Sequence, residues 1–185
     1  MNKYYDLQDI DFLIVDDNLV MQQILKTILR SFNARNPRVA SNQEEAIEAL
    51  SHKSADIVII DLDISPQSRV DLLKALRTEE TSPAPFTQII VITAFPEKEH
   101  VTQARDHGMN EFLAKPLSPA GLYQKISRII AHPRPFIRLE GYTGPCRRRR
   151  RPDGSVPEDS RRSQNITFIP DDTFPWNRDF KMISL

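Results

Sequence analysis

The 185-residue sequence contains one cysteine, Cys146, so no internal disulfide can form. With no ligand-spaced neighbours, that residue also excludes a zinc knuckle, fits a reducing cytoplasm, and is expected to be an exposed, inert thiol. No stretch approaches the roughly 20 apolar residues that a membrane-spanning helix needs. Met1 to Asp11 carries acidic residues and lacks the apolar core of a secretion signal, so the reading is a cytoplasmic chain. The four histidines, His52, His100, His107 and His132, share no metal-ligand spacing beyond the pair His100 and His107 on one expected helix. Nothing in the chain reads as a helix-turn-helix or another folded DNA reader, which leaves specific DNA binding without a module.

Positive and negative charges are equal in number, but they are not evenly distributed. Residues 1–132 carry 14 basic and 18 acidic side chains, whereas 133–185 carry 11 and 7. Half of the 14 prolines also fall in the second part, together with the run Arg147 to Arg151. Residues 1–132 are therefore expected to form one domain. Residues 133–185 are expected to form a Pro/Arg-rich, largely irregular tail, with aromatic residues between 166 and 181 as a docking segment. Those aromatics are Phe168, Phe174, Trp176 and Phe180.

Within the first part, short apolar runs alternate with amphipathic segments, the pattern of strands alternating with helices. Strands are expected at Phe12 to Val15, Arg38 to Ala40, Ile57 to Ile60, Ile89 to Ile92 and Glu111 to Ala114. The first helix is expected over Leu19 to Phe32, with Val20, Ile24, Leu25, Ile28 and Phe32 on its inner face. Asn42 and Ser118 read as helix caps, Asp71 to Leu76 as part of a third helix, and Gly108 as the left-handed residue ending a fourth. Five such units in about 120 residues imply a doubly wound α/β fold with any site at the carboxyl ends of its strands.

Those strand ends are chemically pointed. The first runs into Asp16 and Asp17, the third into Asp61, the fourth into Thr93 and Ala94, and the fifth into Lys115 and Pro116. In a parallel sheet they share one edge, so residues far apart in sequence can meet there. Carboxylates about 4 Å apart repel by roughly 4 kcal/mol per pair at an effective dielectric near 20, so a positive charge must sit among them. Hard carboxylate oxygens suit Mg²⁺, which takes one or two of them and completes its shell with water and phosphate oxygens.

Taken together, these motifs resemble the response-regulator receiver (CheY-like) family over about 120 residues. That resemblance implies a flavodoxin-like sheet of strand order 2-1-3-4-5. It implies Asp61 as phospho-acceptor, with Mg²⁺ held by Asp16, Asp17, Asp61 and the backbone carbonyl of Asp63. Thr93 and Lys115 would hold phosphoryl oxygens, Lys115–Pro116 would be a cis peptide, and Thr93 with Phe112 would form the switch. The implied function is a single-domain regulator in a bacterial two-component or phosphorelay system, a signalling protein rather than an enzyme, with at most slow self-dephosphorylation. The implied partners are a sensor histidine kinase or histidine phosphotransfer protein and a downstream protein, met through the fourth helix, fifth strand and fifth helix. Both a monomer and a phosphorylation-linked dimer are compatible with this.

The loop after Asp61 departs from the family pattern: Ser65 stands where the family carries proline, Pro66 follows one place late, and Arg69 takes a usual glycine position. Phe95, two residues after Thr93, is bulky where the family controls water access, and slower dephosphorylation is the expectation. Two other readings remain open. One is a pseudo-receiver that acts without phosphorylation, its basic tail binding an anionic partner. The other is a metal-dependent phosphohydrolase, suggested by the spacing of Asp61 and Asp63 and opposed by the order of the remaining motifs. The stretch from Arg134 to Arg138, followed by Gly144 to Arg147, loosely resembles tails on some alphaproteobacterial single-domain receivers and assigns no function.

Overall fold

The computed structural model describes residues 3–62, 66–78, 80–94, 96–139, 142–146, 167–168 and 182–184. Asp63, Phe95, Arg147 to Arg151, Phe174, Trp176 and Phe180 lie outside the described residues.

Five strands, β2 (Phe12–Val15), β3 (Arg38–Ala40), β4 (Ile57–Asp61), β5 (Gln88–Thr93) and β6 (Glu111–Ala114), form one parallel sheet in the order β3-β2-β4-β5-β6. This is the 2-1-3-4-5 order the resemblance implies. The central strands β2, β4 and β5 are buried along their whole length, which requires helices on both faces. Helices α1 (Leu19–Ser31) and α5 (Pro119–Ala131) cover one face through Leu25, Leu29, Leu122 and Ile126. The other face meets α2 (Gln43–His52), α3 (Pro66–Arg77) and α4 (Lys98–Asp106) through Ala46, Leu50, Leu73, Leu76 and Ala104.

Local signals set the helix ends. The Asn18 side chain accepts from the amides of Val20 and Met21, the Asn42 side chain from Glu45, and the Ser118 side chain from Gly121. Gly108 follows α4 at φ 91, and a Cβ there would stand 2.9 Å from Arg77 Nε, so both conformation and space require glycine. Helix α3 contains the expected Asp71 to Leu76 and begins on Pro66. Proline's fixed φ suits a first helical position, so Ser68 and Arg69 belong to the helix rather than to an altered loop.

Two expectations are corrected. The inner face of α1 consists of Gln22, Leu25, Ile28 and Leu29, while Val20 and Ile24 point outward at 67% and 41% exposure, with Leu19 at 70%. Helical spacing relates two apolar stripes here, and only packing selects between them.

The second correction concerns Cys146, which follows strands carried by the stretch after 132. Strands β7 (Phe136–Leu139) and β8 (Tyr142–Pro145) form an antiparallel hairpin, and β9 (Thr167–Phe168) pairs with the other edge of β7. Phe136, Ile137 and Cys146 are buried, so the cysteine is not the exposed thiol expected. The physical reason is Arg77 at the end of α3, a fully buried guanidinium whose ring partner is Phe136, 5.0 Å from its centroid. At the other end of the chain, β10 (Met182–Ser184) pairs antiparallel with β1 (Lys3–Tyr5). The Tyr5 amide donates to the Tyr123 hydroxyl of α5 at 2.5 Å.

Candidate functional site

The sheet register brings the carboxyl ends of β2, β4 and β5 to one edge, with Val15 opposite Ile60 and Asp61 opposite Ile92. Asp16 leaves β2, Asp61 ends β4, Thr93 ends β5, and Lys115 follows β6. Asp16, Asp61 and Thr93 are buried. Asp17 is exposed, one residue along from a strand end that aims its predecessor inward.

Lys115 crosses to Asp61, its Nζ 2.5 Å from Oδ2. Its backbone is fixed from below, because the Lys115 amide donates to the Thr93 carbonyl at 2.8 Å and the Lys115–Pro116 peptide is cis. The acid at the end of β4 and the ammonium just after β6 therefore meet across the end of β5, which lies between those strands.

Asp16 is held in three ways. Its amide donates to the Ala40 carbonyl at 3.0 Å, its Oδ1 accepts from the Asn18 amide at 2.8 Å, and its carbonyl accepts from Gln22 Nε2 at 2.7 Å. Asn18 and Gln22 were not singled out by their chemistry in the sequence. The available signals were an Asn immediately before a periodic helix and a glutamine on what proves to be its buried stripe.

The second oxygen of Asp16, Oδ2, is buried with no hydrogen-bond partner among the described residues. Burial raises the Asp16 carboxyl from its ordinary range to about 6; the Asn18 amide opposes this, Asp61 adds to it, Lys115 opposes it and Asp17 adds a little. A buried acceptor with no donor, beside a second carboxylate, is the environment a cation relieves. Among the described residues no three Asp, Glu, His or Cys side chains form a group able to hold a metal ion by themselves. An ion that keeps most of its water shell and takes one or two carboxylates fits this donor set, and Mg²⁺ has that preference.

Phe112 lies on β6 and is half-buried against the core cluster on the α2–α4 side. Near it, Glu111 pairs with Lys125 and Arg128 of α5, each at 3.2 Å, which ties β6 to that helix. No helix among the described residues is long and apolar enough to cross a membrane.

Known proteins are similar to this chain in sequence and fold. A model of the response regulator receiver domain matches residues 12–127. The chain is 30% identical over 122 residues to the chemotaxis protein CheY-3 of Vibrio cholerae, covering 66% of this chain and 92% of that protein. It is 28% identical, with a TM-score of 0.56, to a chain in the co-crystal structure of the Saccharomyces cerevisiae histidine phosphotransfer protein Ypd1 and the receiver domain of its response regulator Ssk1. That match covers 64% of this chain and 87% of the other. The Vibrio cholerae chemotaxis protein CheY4 matches in fold, with a TM-score of 0.59 at 22% identity, over 65% of this chain and 98% of that one. With a parallel 2-1-3-4-5 sheet, an acidic edge and a family match over residues 12–127, the chain belongs to the response regulator receiver family of two-component and phosphorelay signalling.

Proposed function

We propose that this chain is a signalling receiver that accepts a phosphoryl group on Asp61, with Asp16, Asp17 and the Asp63 carbonyl supporting Mg²⁺. The observation that carries this reading is the 2.5 Å contact of Lys115 with a buried Asp61, beside an Asp16 oxygen that lacks a partner among the described residues. When bound, Mg²⁺ supplies positive charge for the incoming phosphoryl oxygens.

The residues do the remainder by position. An Asp61 oxygen attacks phosphorus in line with the donor bond, which breaks, and the electron pair leaves with the donor's nitrogen or oxygen. Lys115 transfers its contact from the carboxylate to a phosphoryl oxygen, and the buried Thr93 offers its hydroxyl to another. Neither group has to cross solvent to do so. Thr93 and Phe112 would then carry the change to the α4, β6 and α5 face, where a downstream protein reads it.

A sensor histidine kinase or histidine phosphotransfer protein is the proposed donor, as the complex of Ypd1 with the Ssk1 receiver suggests by analogy. Any such donor must reach the carboxyl edge, and the first turns of α1 stand there with Leu19, Val20 and Ile24 exposed. Apolar side chains beside a site that a protein must cover favour a protein donor. The described hairpin folds back onto the receiver, which supports signalling by protein contact from a single-domain regulator.

The test is intact mass after incubation with Mg²⁺ and acetyl phosphate. One added phosphoryl group in the wild type and none in Asp61→Ala is expected. No adduct at any Mg²⁺ concentration would overturn the reading in favour of a pseudo-receiver. Sustained phosphate release from simple esters would indicate a hydrolase.

A further inference from the structure

The amino edge of the sheet, opposite Asp61, carries a polar hub. Arg77 Nε donates to the Gly108 carbonyl at 3.0 Å, Nη1 to the carbonyls of Pro85 and Thr87, each at 2.6 Å, and Nη2 to Gly108 at 2.8 Å and Asn110 Oδ1 at 3.1 Å. A guanidinium has five N–H donors, so every one is used, and all acceptors are neutral. Phe136 covers its face and meets Phe86 edge-on with centroids 5.9 Å apart. Arg134 holds the hairpin's other end, donating from Nε to the Cys146 carbonyl at 2.8 Å and reaching the Asn110 carbonyl at 3.5 Å. The hairpin backbone also presses on the end of α4, since a Cβ at Gly144 would stand 3.2 Å from the Gly108 Cα.

The two ends of α4 are therefore held unequally. At its C-terminal end, the Gly108 carbonyl takes two bonds from Arg77, Met109 N–H donates to Ala104, and Asn110 N–H donates to Ile89 of β5. At its N-terminal end, Glu97 makes no side-chain capping bond and instead contacts His100 at 2.7 Å. The one buried residue of the helix, Ala104, lies toward the clamped end.

We propose that the β7–β8 hairpin is a built-in clamp that, through Phe136 and Arg77, fixes the C-terminal end of α4 and leaves its N-terminal end as the part that moves when Asp61 is phosphorylated. The moving half of this proposal rests on the phospho-acceptor reading; the clamp itself does not. The hairpin thereby makes α4 a lever with a fixed pivot at Gly108, and the output face is reshaped near Thr93 rather than at the amino edge.

Amide hydrogen exchange on the full chain tests both halves. In the unphosphorylated protein, Phe136→Ala is expected to speed exchange at Gly108, Met109 and Asn110 on the order of tenfold more than at β4. Unchanged exchange at those three amides overturns the clamp. Should Phe136→Ala lose protection everywhere, Phe136→Leu and Gly144→Ala decide in its place. The first removes the ring contact with little change in volume, and the second sets a methyl group 2.8 Å from the Tyr142 hydroxyl and 3.2 Å from the Gly108 Cα. In wild type treated with acetyl phosphate and Mg²⁺, exchange is expected to change at Val101, whose amide bonds to Glu97, and not at Met109 or Asn110. Equal change at both ends overturns the pivot. Absence of any mass adduct removes the phospho-acceptor reading and the pivot together, while the unphosphorylated arm still decides the clamp.

Discussion

Lys115 Nζ lies 2.5 Å from Asp61 Oδ2, an ion pair built across the carboxyl edge of the sheet by residues on β4 and just after β6. The acid is 6% exposed at its side chain and the ammonium 23%, so the pair is largely shielded from screening by salt. An ammonium already at the acceptor has only to shift to an adjacent phosphoryl oxygen.

Lys115→Ala is accordingly expected to slow labelling by acetyl phosphate about 100-fold, the usual cost of losing one donor to developing charge. Time-resolved intact mass gives the rate. A rate within a few-fold of wild type would place the stabilising charge elsewhere.

Asp16 makes a pH-dependent prediction. Its carboxyl titrates near 3.8 when unfolded and near 6 when folded, so the folded chain holds the proton more tightly between those values. Stability from this group is thus full below about pH 4 and falls as the pH rises through 6. The shift of about 2 units corresponds to about 3 kcal/mol. Asp16→Asn keeps an oxygen for the Asn18 amide and cannot ionise, so in metal-free buffer it is expected to raise the urea midpoint at pH 7 and not at pH 4. Equal midpoints at pH 7 would refute the burial cost.

Mg²⁺ should offset the same cost in the wild type. At pH 7, adding Mg²⁺ to a hundredfold excess over its dissociation constant is expected to stabilise the fold by about 2.7 kcal/mol, by mass action. Asp16→Asn should gain much less. Thermal melts with and without the ion measure the difference.

The exposed stripe of α1 separates protein donors from small ones. Val20→Lys with Ile24→Lys is expected to change stability by no more than about 0.5 kcal/mol per site, because both side chains already face water. Labelling by acetyl phosphate should be unaffected, while transfer from a histidine phosphotransfer protein or kinase should fall at least tenfold. Loss of both activities together would point to damage at Asp61 rather than to docking.

Truncation after His132 tests where the domain ends. It removes the fully buried Phe136 and uncovers Arg77 and Phe86, and a loss of at least about 3 kcal/mol is expected from that ring alone. Chemical denaturation of the two lengths decides it. Equal stability would leave residues 133–146 in the tail, outside the receiver domain.

The sequence alone determined the alternation of strands and helices, because β2, β4 and β5 are continuous apolar runs and their periodicity is local. The caps at Asn42 and Ser118, the turn at Gly108 and the arrival of Asp16, Asp61, Thr93 and Lys115 at strand ends were legible for the same reason. Tertiary structure alone decided which stripe of α1 faces inward, since Val20 and Ile24 fit helical spacing as well as Leu25 and Leu29 do. It also decided that Phe136, Ile137 and Cys146 are buried. Prolines and arginines read locally as irregular chain, and the contact that orders them joins Phe136 to Arg77 across a long stretch of sequence. A buried cation satisfied by acceptors of two separate connections, Pro85 and Thr87 before β5 and Gly108 and Asn110 before β6, and by a ring from β7 leaves no periodic trace; it exists only once the fold has brought those segments together.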